Sequence, residues 1–94
     1  MDINREIRLA VNTGETKLGV KEALKNIDEG RVNMLIVAKN CPESAFKNDE
    51  YQGIPIYHFK GSNHELGSTA GKPFTVSTIT VIDPGESDIL SVVE

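Results

Sequence analysis

The side chains able to do covalent or acid–base chemistry are few in this sequence and scattered along it. Cys41 stands before Pro42 at an expected helix start, where a thiol can become reactive, but no base partner accompanies it and a buried spectator thiol fits equally well. His58 falls within a run of strand-forming residues and His64 within a helix cap, and neither has metal-ligand spacing. Gly14 and Gly19 resemble part of a phosphate loop, yet the lysine and hydroxyl of the full motif do not follow the second glycine. No nucleophile, base and orienting group come together in the pattern. The expectation is therefore a protein that is not an enzyme and needs no cofactor or metal.

Three other stretches suit recognition of RNA. Gly19-Val20-Lys21-Glu22 opens a helix, where unbonded backbone N–H groups and the positive end of the dipole favour an anion. Glycine at that point lets a partner approach the backbone closely. Lys21 and Lys25 stand four apart and share one side of the helix. Lys39-Asn40-Cys41-Pro42 follows a strand, and Gly71-Lys72-Pro73-Phe74 makes a rigid turn able to present an aromatic ring. A phosphate-facing backbone, a lysine pair, an amide and a loop aromatic together could form an RNA surface. Each also has a plain structural reading: Gly19 as a turn, Asn40 as a cap, Phe74 as core and the lysines as solvated charge.

The elements that must position these residues follow from apolar spacing. Ile3, Ile7, Ala10 and Val11 mark a first helix, stopped at Asn12-Thr13-Gly14 with Gly14 expected in the left-handed conformation. Lys17-Leu18 adds a short strand. A second helix starts at Gly19, carries Val20, Ala23, Leu24 and Ile27 on one face, and ends at Asp28-Glu29-Gly30. Asn33 to Ala38 is a continuous apolar run suited to a strand buried on both faces. Pro42 opens a third helix, running through Phe46 towards Tyr51 and closed by Gly53. Ile54 to Phe59 is a strand, with Pro55 near its beginning where a missing donor costs least.

Ser62 and Glu65 have the spacing of a capping box, starting a short helix that reaches Ala70-Gly71. Val76 to Ile82 alternates with the period of a strand. Asp83-Pro84-Gly85-Glu86 repeats the cap logic for a last helix bearing Ile89, Leu90, Val92 and Val93. Alternation of this kind predicts an α/β fold, a central mixed sheet with helices on both faces.

Ninety-four residues suffice for a single hydrophobic core, so one domain over residues 1–94 is expected. The net charge of −4 speaks against attraction of nucleic acid by bulk charge, leaving only a locally basic site. The opening Met1-Asp2-Ile3-Asn4-Arg5 has neither the basic start nor the apolar stretch of a signal peptide. No apolar run reaches membrane-spanning length. A lone cysteine cannot form an internal disulfide, which suits a reducing, cytoplasmic compartment.

Leu18-Gly19-Val20-Lys21, Leu35 to Pro42, Glu65-Leu66-Gly67, Gly71 to Val76 and Ile82 to Leu90 occur in that order. Together these five blocks closely resemble the archaeal branch of the L-thirty-e family of large-subunit ribosomal proteins, and the resemblance runs over nearly the whole chain. That family lies in the superfamily of kink-turn RNA binders that includes the L-seven-Ae proteins. The resemblance implies a three-layer α/β/α sandwich around a four-stranded mixed sheet. It implies a structural role in the large ribosomal subunit and in translation, with ribosomal RNA and neighbouring ribosomal proteins as partners, no membrane, and a monomer when free.

By similarity, Gly19, Lys21, Glu22 and Lys25 match the glycine-led start of the RNA-binding helix. Asn40 matches the polar residue after the second full strand, and Phe74, Thr75 and Val76 match the loop that packs against flipped-out or bulged nucleotides. Two departures stand out. The stretch between Pro42 and Ile54 is about four residues shorter than in relatives, roughly one helical turn. Thr75 stands where many members carry a basic residue. The alternatives carried alongside are a non-ribosomal kink-turn binder and a protein-interaction module on the same fold.

Overall fold

Asp2 caps the first helix through a carboxylate that accepts the Arg5 amide, and α1 runs over Ile3–Thr13 with Ile7 and Ala10 buried along one side. This is a computed structural model, and it describes residues 2–93. α1 continues past Val11 because the Thr13 hydroxyl turns back to the Leu9 carbonyl at 2.6 Å. Gly14 is not left-handed as expected: its φ is −103°, in extended backbone. The requirement there is space, since a Cβ would collide with the Asp83 carbonyl oxygen.

The chain continues as β1 (Glu15–Leu18), α2 (Val20–Asp28), β2 (Met34–Val37), a 3-10 turn (Ser44–Lys47), β3 (Glu50–Tyr51), β4 (Ile54–His58), α3 (Asn63–Thr69), β5 (Thr78–Asp83) and a final 3-10 turn (Ile89–Val93). The strands form one mixed sheet in the order β1-β5-β2-β4-β3, with β2 and β4 parallel and the other pairs antiparallel. The sheet has five strands rather than the expected four, and the fifth arises where a helix was expected.

Between Pro42 and Ile54 the chain is too short for a helix plus a return to the sheet. It makes one 3-10 turn and then folds back on itself. Glu50 faces Pro55 and Tyr51 faces Ile54, leaving the two-residue loop Gln52-Gly53. Both loop residues have positive φ, 51° and 81°, which is the pattern of a type I′ hairpin. Gly53 therefore closes a hairpin and not a helix.

The last expected helix is also reduced. The Asp83 carboxylate accepts the amide of Gly85 as a helix cap would, but Gly85 itself is left-handed at φ 61°, which breaks the helix directly after Pro84. Glu86 then donates to the Thr13 hydroxyl and Asp88 to the buried carboxylate of Glu6, at 2.9 and 2.6 Å. These ties hold the segment against α1, and only Ile89–Val93 coils, with Ile89 buried.

The expectation for the second strand holds: all four residues of β2 are buried. Met34 and Ile36 join a cluster with Ile7, Ala10, Leu66, Ile79 and Ile89. Leu35 and Val37 join another with Ala23, Ile27, Phe46 and Ile56. The period-two alternation of a strand divides the core in this way. The radius of gyration, 11.6 Å, is close to the ~12 Å expected of a single domain of this length. Among the described residues no helix is long and apolar enough to cross a membrane.

Candidate nucleic-acid interface

The strand directions bring the three recognition stretches to one end of the sheet. β1, β2 and β4 all end there, and β5 begins there. Backbone bonds fasten the junctions: the Gly19 amide donates to Thr78 O at 2.8 Å, Ala38 N to Ser77 O at 2.8 Å, Lys39 N to Gly61 O at 2.9 Å and Phe59 N to Val37 O at 2.9 Å. Loops clustered on a rigid sheet end are a natural place for binding.

Gly19 occupies the N-cap of α2 with φ +96° and makes no side-chain cap. That conformation favours glycine. No heavy atom lies within 4 Å of where a Cβ would stand, so the space above it is open to a partner. Lys21 and Lys25 are exposed on α2, and Glu22 between them is half-buried.

Gly19 shares an open groove of about 280 Å³ with Leu18, Pro42, Asn63, Phe74 and Thr75. Phe74 is the exposed large hydrophobic residue of the described chain, at 55% exposure, which rules out the core reading for it. Thr75 is exposed beside it. Val76 differs: it lines the groove but its side chain is buried in the core, leaving mainly its backbone near the surface. Even that backbone is engaged, donating from its N–H to Asn63 O at 3.0 Å.

Asn40 reaches the site as a fastener. Its side-chain oxygen accepts the Asn63 amide at 2.7 Å and its Nδ2 donates to Asn63 Oδ1 at 3.1 Å. Asn63 thereby joins the loop after β2 to the loop before β5. Its position directly after the cap residue Ser62 suggests only a helix start, so the bridging role has no local signal. The capping box itself forms as expected, with Glu65 N donating to Ser62 Oγ at 3.3 Å.

Gly67 was quoted in the resemblance without a role. A Cβ there would collide with the Phe74 carbonyl oxygen, so its lack of a side chain lets the residue 71–76 loop lie directly on α3.

The residues considered for catalysis are engaged otherwise. Cys41 is buried, with Sγ 3.4 Å from the Thr78 hydroxyl, and the chain directly after Pro42 makes a 3-10 turn in place of the expected α-helix. His58 Nε2 lies 2.9 Å from the Asn48 carbonyl, where it braces the segment before β3. Gly14 and Gly19 flank β1, so the residues between them form an extended strand and not a loop. Among the described residues no group of three or more His, Cys, Asp or Glu is placed to hold a metal.

The family model described as "Ribosomal protein L7Ae/L30e/S12e/Gadd45 family" matches residues 1–91. The chain is similar to proteins named large ribosomal subunit protein eL30. One from Methanococcus maripaludis is 46% identical over 96 residues, spanning 98% of this chain and 96% of the relative. One from Methanoregula boonei is 45% identical over 93 residues, spanning 97% and 95%. One from Pyrobaculum calidifontis is 40% identical over 98 residues, spanning 100% and 97%.

Proposed function

Because this chain belongs to the ribosomal protein L7Ae/L30e/S12e/Gadd45 family, we propose that the groove between Gly19 and Phe74 binds a kink-turn in ribosomal RNA. The protein is a structural component of the large ribosomal subunit, works in the cytoplasm on the ribosome, and is not an enzyme. One observation carries the kink-turn reading. An aromatic ring stands exposed at the rim of a groove whose opposite side is a helix N-terminus with Lys21 close behind it. A bulged nucleotide stacked on Phe74 would bring its phosphates to the α2 amides and to Lys21 and Lys25. Glu22 would accept from guanine N–H groups, and Thr75 would flank the ring. Asn40 and the Val76 backbone would serve by holding the groove's two walls together.

The chain acts as one RNA-binding domain over residues 1–94, monomeric when free. Its architecture is taken as an α/β/α sandwich. The division of the apolar side chains into two clusters, one with α1 and α3 and the other with α2, supports that layering.

Titration against a kink-turn RNA and a straight duplex of equal length tests this reading. The bent RNA should bind selectively. Phe74→Ala should weaken that binding by about 1–3 kcal/mol, the usual cost of losing one base–aromatic stack, while its melting temperature stays close to that of the parent. Equal, weak and salt-sensitive binding to both RNAs would mean that the fold persists without this recognition.

A further inference from the structure

The surface around Phe74 does not end at the groove. A second hollow shares Phe74 and Thr75 with it and passes Lys72 and His64 to reach Ser68. Ser68 also lines a larger hollow of about 500 Å³ between α1 and α3, bordered by Arg5, Arg8 and Thr69. Each hollow shares lining residues with the next, Phe74 and Thr75 between the first two and Ser68 between the last two, so they follow one another as a channel in three parts from the sheet end, past α3, to α1.

The charge along this channel is opposite to that of the molecule. The chain carries 14 acidic residues against 10 lysines and arginines. The second and third hollows are lined by Lys72, Arg8 and Arg5 and by a single carboxylate, Asp2, which already accepts the Arg5 amide. Arg8 is held in advance of any ligand. Its Nε donates to Thr69 O at 3.3 Å and its Nη2 to Ser68 O at 3.2 Å, using two of the five N–H groups of a guanidinium. Arg5 is freer, with its side chain 72% exposed and, among the described residues, an ion-pair contact of 4.0 Å to Glu6 alone. Asn4, Asn12 and Thr69 add neutral donors and acceptors to the walls. Fixed cations for phosphates, with amides and hydroxyls able to meet 2′-hydroxyls, are the groups that grip an RNA backbone without reading its sequence.

We infer that this channel seats the sugar–phosphate backbone of one stem flanking the kink, with Lys72, Arg8 and Arg5 on its phosphates. The inference rests on the kink-turn reading above and extends the footprint beyond the loops that recognise the bulge. Because Arg8 is already held by Ser68 and Thr69, its contact carries little further ordering cost.

Three RNAs test it: a kink-turn with both stems long, and two versions in which one stem or the other is cut to a few base pairs. Arg5→Gln and Lys72→Gln are compared with the full-length parent and with Lys47→Gln, an exposed lysine away from the channel. Arg8 is left intact because it also holds the end of α3. Arg5→Gln should lower affinity for the long RNA by roughly three- to tenfold and reduce the slope of log K against log salt by about 0.7–0.9, one phosphate contact. It should have no effect on the version lacking the seated stem. If Arg5→Gln matches Lys47→Gln on all three RNAs while bent RNA is still preferred to straight duplex, the channel is overturned and the kink-turn reading stands. An equal loss on all three RNAs also overturns it, by placing Arg5 at the bulge. If the parent protein shows no preference for bent RNA, the reading beneath both proposals falls.

Discussion

Full burial of a phenylalanine ring contributes about 1.5–3 kcal/mol, and Phe74 leaves much of that gain unrealised while Val76, two residues on, is buried to 2% exposure. Residue type alone could nominate both for the loop, because the burial that separates them depends on how the loop lies over Gly67. The helix-start position of Gly19 and the exposure of Lys21 and Lys25 were legible for the same reason in reverse, since both are set locally. Asn63 was not legible. Its partner Asn40 is 23 residues away, and no local pattern records such a pairing. A second residue hidden from sequence is Thr80, whose hydroxyl is the buried side-chain polar atom without a partner among the described residues. An unpaired buried hydroxyl costs about 1–3 kcal/mol. Thr80→Val keeps the shape and removes that cost, so thermal unfolding should show a melting temperature raised by several degrees, about 4–8 °C per kcal/mol. A lower melting temperature would mean that the hydroxyl has a partner after all.

At the scale of elements, apolar periodicity and caps located α1, α2, β2, β4, α3 and β5, while the two proline-led helices did not form. Proline before a turn and proline at a helix start are the same signal, because its fixed φ suits both. After Pro42 and Pro84 the chain takes the turn, in one case for want of length and in the other because Gly85 adopts a left-handed φ of 61°. The β3–β4 hairpin depends on Gln52 at φ 51°, a conformation that asparagine tolerates better than glutamine. Gln52→Asn should stabilise the protein by about 0.5–1 kcal/mol in denaturant unfolding; no gain would argue against the type I′ loop. Gly67→Ala has the opposite sign. Its methyl would strike the Phe74 carbonyl, and forcing space into packed structure costs about 1–3 kcal/mol. RNA affinity should fall along with stability, because the loop carrying Phe74 must lift; unchanged affinity in a folded Gly67→Ala protein would dissociate the loop's seat from its function.

Over the whole molecule, net charge speaks against an RNA partner, whereas the two hollows beside α3 are lined by Lys72, Arg8 and Arg5 and by one carboxylate, Asp2. Lys21, Lys25, Lys72, Arg8 and Arg5 would give a salt slope of about −3.5 to −4.5 if each met one phosphate. The surrounding negative field should make the measured slope shallower over 50–200 mM salt, and a steeper one would show that other cations take part. The order of the sheet bears on how the molecule comes into being. β5 lies between β1 and β2, although it is the last strand in the chain. During synthesis β1 waits without a neighbour, while β2 and β4 can already pair, and insertion of residues 78–83 then joins the two parts in a single late event. Ser77 and Thr78 also hold the amides of Ala38 and Gly19. A chain released too early therefore lacks the strand that joins β1 to β2, and with it the carbonyls that fasten the Gly19 and Ala38 junctions, so the proposed groove would be absent from an unfinished copy.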